Sequence, residues 1–197
     1  KYNNIINIPQ IFSSGISDSP TEPVENNVND NCIYTIGHSN HTMEKFIELL
    51  KENKIELVVE VRSTPKSSYS PHFNKSNLIY GLRQTGIKYL DRGKTLGGRP
   101  DDTSVLNQDK KILEDKIEMK SWYQDGIKEI ISRSNKTRLA LMCSEENPLN
   151  CHRGYVLSHS LLKKGMKIEH IRGSGNNVKG KRFVKKELHQ GNLFDEK

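Results

Sequence analysis

The stretch Arg138-Leu-Ala-Leu-Met-Cys-Ser-Glu-Glu-Asn-Pro-Leu-Asn-Cys-His-Arg153 decides the fold. Its opening run, Arg138 to Met142, has the apolar character of a buried strand, and the residues from about Asn150 to Lys164 carry apolar side chains at helical spacing. Cys143 and the run Cys151-His152-Arg153 bracket the Pro-containing loop Ser144 to Asn150 between them. A strand that passes through a short loop into a helix is the repeating unit of open α/β sheets. Such sheets bind ligands beyond the carboxyl ends of their strands, where N–H groups at helix starts favour anions.

Working outward, the same alternation recurs. Met166 to Ile171 reads as the next strand, and Trp122 to Ser132 as the preceding helix. Nearer the amino end come a strand at Ile33 to Ile36 and a helix through Met43, Phe46, Ile47, Leu49 and Leu50 behind a Ser39/Thr42 cap region. They are followed by the strand Leu57 to Val61, a helix Asn74 to Thr85 ended by Gly86, and the strand Ile87 to Leu90. Asp91 to Lys120 breaks the pattern: Gly93, Gly97, Gly98 and Pro100 mark a loop before a charged helical stretch around Lys110 to Met119, read as an insertion or lid. The prediction is an α/β fold, a single three-layer domain over residues 32–172 with a mostly parallel sheet of about five strands. Polar tails flank it. Residues 1–31 are rich in Asn, Ser, Pro and acids around the apolar patch Ile5 to Phe12, which predicts a disordered or loosely docked segment, and residues 173–197 read as a basic flexible tail.

The composition agrees with one domain. The chain has 197 residues, 33% of them hydrophobic, and a mean hydropathy of -0.74. No apolar stretch approaches membrane-spanning length and no basic-then-apolar leader opens the sequence, although it begins at Lys1 rather than Met. Three cysteines, an odd number, do not make a disulfide framework and fit a reducing compartment. A cytoplasmic protein without membrane association is expected. The net charge is +7, concentrated from Lys163 to Leu188, where nine Lys or Arg face two Glu. That makes a polyanion a reasonable partner, with a solvated Lys-rich tail as the alternative.

In a parallel sheet all carboxyl ends share one edge, so the residues just past each strand are neighbours. They are Gly37, His38 and Ser39; Arg62, Ser63 and Lys66; Asp91 and Arg92; and Cys143 with Glu145, facing Cys151, His152 and Arg153. His38, Glu145, Cys143 and Cys151 are the candidate catalytic groups. An imidazole titrates near neutrality, a carboxylate transfers protons, and a thiol at a helix start has a lowered pKa if exposed. Ser39, Arg62, Lys66, His152 and Arg153 are the candidate substrate-binding groups, the two arginines as forked anion clamps. The alternative for Arg62 is an ion pair with Glu60 or Glu145 that braces the loops; Cys143 reads equally as a buried thiol.

A cysteine phosphatase needs an arginine six residues after its thiolate, but Leu149 stands there. A zinc site recruiting Cys143, Cys151 and either His38 or His152 lacks the closely spaced cysteine pair of structural zinc sites, so no metal or cofactor is assigned. Acid–base or covalent catalysis on an anionic, nucleotide-like substrate remains open.

Several runs match a known pattern. They are Tyr34-Thr-Ile-Gly-His-Ser39, Val59-Glu-Val-Arg-Ser63, Pro71-His-Phe-Asn74, Gly86-Ile-Lys-Tyr89, Leu96-Gly-Gly98, Met142-Cys-Ser-Glu145 and Cys151-His-Arg153. The chain resembles, over about Ile33 to Arg172, the domain-of-unknown-function family numbered 488, which implies no established reaction. The family pattern usually has Asp where this chain has Glu60. Val-Glu-Val-Arg also resembles the early strand of rhodanese domains without their later Cys-started loop, leaving sulfur transfer or a thiol enzyme as an outside alternative. In the tail, Gln190-Gly-Asn-Leu193-Phe194 resembles the pentapeptide by which bacterial replication and repair proteins bind the DNA sliding clamp. The expectation is an enzyme of unknown reaction on a phosphate-bearing substrate, a nucleotide or nucleic acid. The alternative is a non-enzymatic DNA adaptor tethered to the clamp through Gln190, Leu193 and Phe194.

Overall fold

The computed structural model describes residues 31–181. Six strands form one sheet: β1 (Cys32–Gly37), β2 (Leu57–Glu60), β3 (Lys88–Asp91), β4 (Leu139–Cys143), β5 (Lys167–Ile171) and β6 (Asn177–Lys179), in the order β3-β2-β4-β1-β5-β6. Every neighbouring pair is parallel except β5 and β6. The mostly parallel α/β sheet is as the sequence predicts, with one strand added. β6 lies inside the segment read as tail, and Gly180 N still bonds Ile168 O at 2.8 Å, so ordered structure continues past Arg172.

Alternation along β4 shows how the sheet divides two cores. Leu139, Leu141 and Cys143 point into one, Ala140 and Met142 into the other. The second core is closed by α1 (Met43–Glu52), through Phe46, Leu49 and Leu50, and by α2 (Lys75–Arg83), through Leu78 and Leu82. α1 starts where it does because Thr42 accepts a side-chain cap bond from Lys45 N at 3.2 Å. The first core lies under α5 (Ser121–Ser134), whose Tyr123, Ile127 and Ile130 recur at helical spacing, and under α6 (His159–Lys163), which contributes Leu161.

The insertion is more broken than its charge pattern predicts. It contains α3 (Gly93–Leu96), a 3-10 turn at Thr103–Val105 and α4 (Glu114–Glu118). The helix expected from Lys110 starts only at Glu114, because Lys110 adopts a left-handed backbone (φ 57°) and Leu106 bridges to Ile112 in a tight reversal. The helix expected from Asn150 to Lys164 is likewise divided into a 3-10 turn at Pro148–Asn150, a π-helix at Arg153–Ser158, and α6. Among the described residues no helix is long and apolar enough to cross a membrane.

Candidate functional site

The connections place the site. The helices that follow β1 and β2 pack on one face of the sheet, while the helical segment that follows β4 packs on the other, and β4 lies between β1 and β2. Neighbouring strands whose crossovers leave to opposite faces open a crevice at their carboxyl ends, the usual ligand position in open α/β sheets. The ladder persists into that edge: His38 N bonds Cys143 O at 2.9 Å and Ser39 N bonds Ser144 O at 2.8 Å. Gly37 permits the crossing, because a β-carbon there would sit 1.8 Å from the Glu145 carbonyl oxygen.

Two groups of sequence-predicted residues assemble at this edge. In the first, the Arg62 guanidinium is buried and each of its three nitrogens makes a hydrogen bond. Its Nε pairs with the Glu60 carboxylate, Nη1 donates to His38 Nε2 at 3.0 Å, and Nη2 donates to the Phe73 carbonyl at 2.6 Å. Glu60 also accepts from the Tyr89 hydroxyl at 2.8 Å. His38 donates from Nδ1 to the Ser39 carbonyl at 2.8 Å and stacks on Phe73, with ring centroids 4.6 Å apart. Burial, then the Arg62 charge, lowers its pKa to about 4, so the imidazole is neutral at physiological pH with both nitrogens occupied. The bracing role held as the alternative for Arg62 is therefore the one its contacts serve, and His38 is part of the brace.

The second group is Cys143, Cys151 and His152, all buried, whose ligand-type atoms lie within 4.8 Å of one another. His152 Nε2 donates to the Leu96 carbonyl at 3.0 Å, which leaves Nδ1 facing both sulfurs, 3.7 Å from Cys143 Sγ and 3.9 Å from Cys151 Sγ. The hydrogen bond from Cys143 holds the Cys151 thiol well below its ordinary pKa, helped by His152 and Arg153 against burial. The same bond, with burial, pushes Cys143 up.

Arg153 is completely buried. Its Nη1 donates to the Glu145 carbonyl, and Nη2 to the Glu146 carbonyl at 2.7 Å, so it ties down the loop between β4 and the π-helix. Each terminal nitrogen of Arg153, the second anion-clamp candidate, thus gives one N–H to the loop backbone. Its buried Nε has no partner in the structure. Glu146 fastens the same loop to the end of β5 through a two-point ion pair with Arg172, at 2.8 and 2.7 Å. Glu145 and Lys66 are exposed at the rim and Ser39 is half-buried there, with a left-handed backbone (φ 47°). Gln190, Leu193 and Phe194 lie outside the described residues.

Sequence reasoning missed two participants, the Leu96 carbonyl and Gly98. A β-carbon at Gly98 would sit 2.8 Å from His152 Nδ1, so only glycine leaves the imidazole its place. The Leu96-Gly-Gly98 run was the signal, visible as a motif without a physical role. A cavity of about 450 Å³ lies at the other end of the strands, lined by Cys32, Tyr34, Met166, Ile168, Lys179 and Gly180, remote from this edge.

The family model described as "Domain of unknown function DUF488" matches residues 42–159. The chain belongs to this family. The matched span of the DUF488 chain runs from the cap of α1 to the first residue of α6 and so takes in the Cys143–Cys151–His152 cluster and the Arg62 brace, while β1 with His38 lies before it. No curated protein and no solved structure matches the chain.

Proposed function

We propose that this DUF488 protein is an enzyme acting on a phosphate-bearing substrate, a nucleotide or nucleic-acid segment, bound over the carboxyl ends of β1, β2 and β4. The observation that carries the reading is the reversal of crossover direction around β4. In open α/β sheets such a reversal marks the carboxyl edge as the ligand position, and the buried Cys143–Cys151–His152 cluster lies at that edge. With Arg62 and Arg153 committed to holding loops, the cations available to a substrate phosphate are the exposed rim groups Lys66 and Arg99. Arg99 is held close by the bond from its N–H to Ser63 Oγ at 2.8 Å. Ser39 and Glu145 complete the rim, Glu145 as the proton-transfer group open to solvent.

The test is equilibrium binding of a nucleoside monophosphate, a nucleoside triphosphate and a short single-stranded oligonucleotide to the wild type and to a Lys66→Ala/Arg99→Ala double variant. At least one probe binds the wild type, weakens steeply with salt, and loses about tenfold or more in affinity in the double variant. Absence of binding by all three probes, or equal affinities in the two proteins, defeats the proposal.

A further inference from the structure

We infer that Cys143 Sγ, Cys151 Sγ and His152 Nδ1 form a binding site for a zinc-class divalent ion. Three features carry this independently of any substrate.

The first is spacing. An ion with ordinary tetrahedral zinc bonds holds a thiolate sulfur and an imidazole nitrogen about 3.5 Å apart, and two thiolate sulfurs about 3.8 Å apart. The two sulfur–nitrogen separations are 3.7 and 3.9 Å, and all three atoms fall within 4.8 Å of one another. Small side-chain rotations close what remains.

The second is orientation. A metal-binding histidine is normally fixed by a hydrogen bond from its other ring nitrogen, which sets the tautomer and aims the lone pair. His152 has that arrangement: Nε2–H donates to the Leu96 carbonyl at 3.0 Å, and Nδ1 is directed at the sulfurs. Gly98, whose missing β-carbon would fall 2.8 Å from Nδ1, keeps the space beside that nitrogen free.

The third is placement. Cys143 ends β4, and Cys151 and His152 lead into the π-helix Arg153–Ser158, so two ligands are adjacent in sequence and the third is held on a central strand. Irregular helical turns of this kind occur often at functional sites. The spacing Cys-x7-Cys-His is unlike that of structural zinc motifs, which is why the sequence alone does not assign a metal here. Among the described residues no fourth Cys, His or carboxylate joins the three. Structural zinc sites close with four protein ligands, whereas catalytic ones keep a position for water or substrate. This set belongs to the second kind. The use of that open position rests on the proposed substrate crevice; the binding of the ion does not. Both sulfurs bind as thiolates, so the proton held between them passes to solvent, and there is no change of oxidation state.

The experiment loads the reduced, full-length chain with Co(II) and with Zn(II), removes excess ion, and measures metal content and the optical spectrum. About one ion per chain is expected, with sulfur-to-cobalt charge transfer and the visible bands of a tetrahedral site. Cys143→Ser/Cys151→Ser abolishes the charge-transfer band, and Gly98→Ala weakens uptake while both thiols remain. X-ray absorption of the zinc-loaded wild type needs no variant and is expected to show two sulfurs, one nitrogen and one light atom. Failure of the reduced wild type to retain either ion, a first shell without sulfur, or uptake unchanged in the double serine variant overturns the inference. Because these readouts involve no phosphate compound, their failure leaves the binding test of the substrate crevice standing, and the reverse also holds.

Discussion

Arg62 and His38 hold each other through a single hydrogen bond, Nη1 to Nε2 at 3.0 Å, which a protonated imidazole has no lone pair to accept. His38 titrates at about 4 rather than 6.5, mainly through burial and then through Arg62, with His72 and His41 adding to the effect. The unfolded chain therefore takes up this proton first on acidification. The contribution to stability is complete above pH 6.5 and is lost as pH falls toward 4. It amounts to at most about 3 kcal/mol. Urea midpoints measured between pH 7 and pH 4 should fall through this window. They should fall less in His38→Gln, whose side-chain oxygen accepts from Arg62 without titrating. His170, lowered to about 3 by burial and then by Arg153, leaves part of the slope in place.

Glu60 is fully buried, faces the Arg62 guanidinium and accepts from Tyr89. Removing one partner of a buried ion pair strands the other charge, at a cost of about 3–5 kcal/mol. Glu60→Gln should lose an amount of that order in equilibrium unfolding, against about 1 kcal/mol for Tyr89→Phe, which deletes one hydrogen bond. Near-equal losses would mean that the pair is not desolvated in solution.

Arg153 fixes two consecutive carbonyls with a fork that lysine does not reproduce. Arg153→Lys should therefore lower thermal stability clearly, by about 2–3 kcal/mol. Amide exchange should quicken in residues 144–150. Unchanged exchange in that loop would show that the fork is not what holds it.

Two glycines should respond differently to alanine. At Gly37 the new methyl meets the Glu145 carbonyl at 1.8 Å, backbone against backbone, and the loop carrying the cluster must move. At Gly86 nothing lies within 4 Å and only the left-handed backbone (φ +76°) is strained. Gly86→Ala should cost about 1 kcal/mol, and Gly37→Ala severalfold more, with the two ranked by urea unfolding.

The strands β1 to β5 were legible because Leu57-Val58-Val59 or Leu139-Ala-Leu-Met142 has no other way to hide so many apolar side chains. Asn177-Val178-Lys179 was not, since a short edge strand with one half-buried residue has the composition of a loop. The gathering of His38, Arg62, Cys143 and His152 at one edge followed from parallel topology alone. Their roles did not. Whether Arg62 clamps a ligand or braces a loop depends on Glu60, His38 and the Phe73 carbonyl arriving from three segments. The π-helical turn after His152, which departs from the regular helical spacing expected there, was equally hidden.

β6 pairs antiparallel with β5 through Glu169, His170 and Ile171 and so occupies the backbone groups along the outer side of that strand. A protein cut after Arg172 would keep every residue matched by the family model and both cores, yet would present β5 as a bare margin. Such margins recruit strands from other molecules. The shortened protein should fold and then self-associate in size-exclusion chromatography, where a chain retained to Lys181 should elute as the full-length protein does. Self-association of the shortened protein alone would make three residues of unremarkable sequence a guard against aggregation.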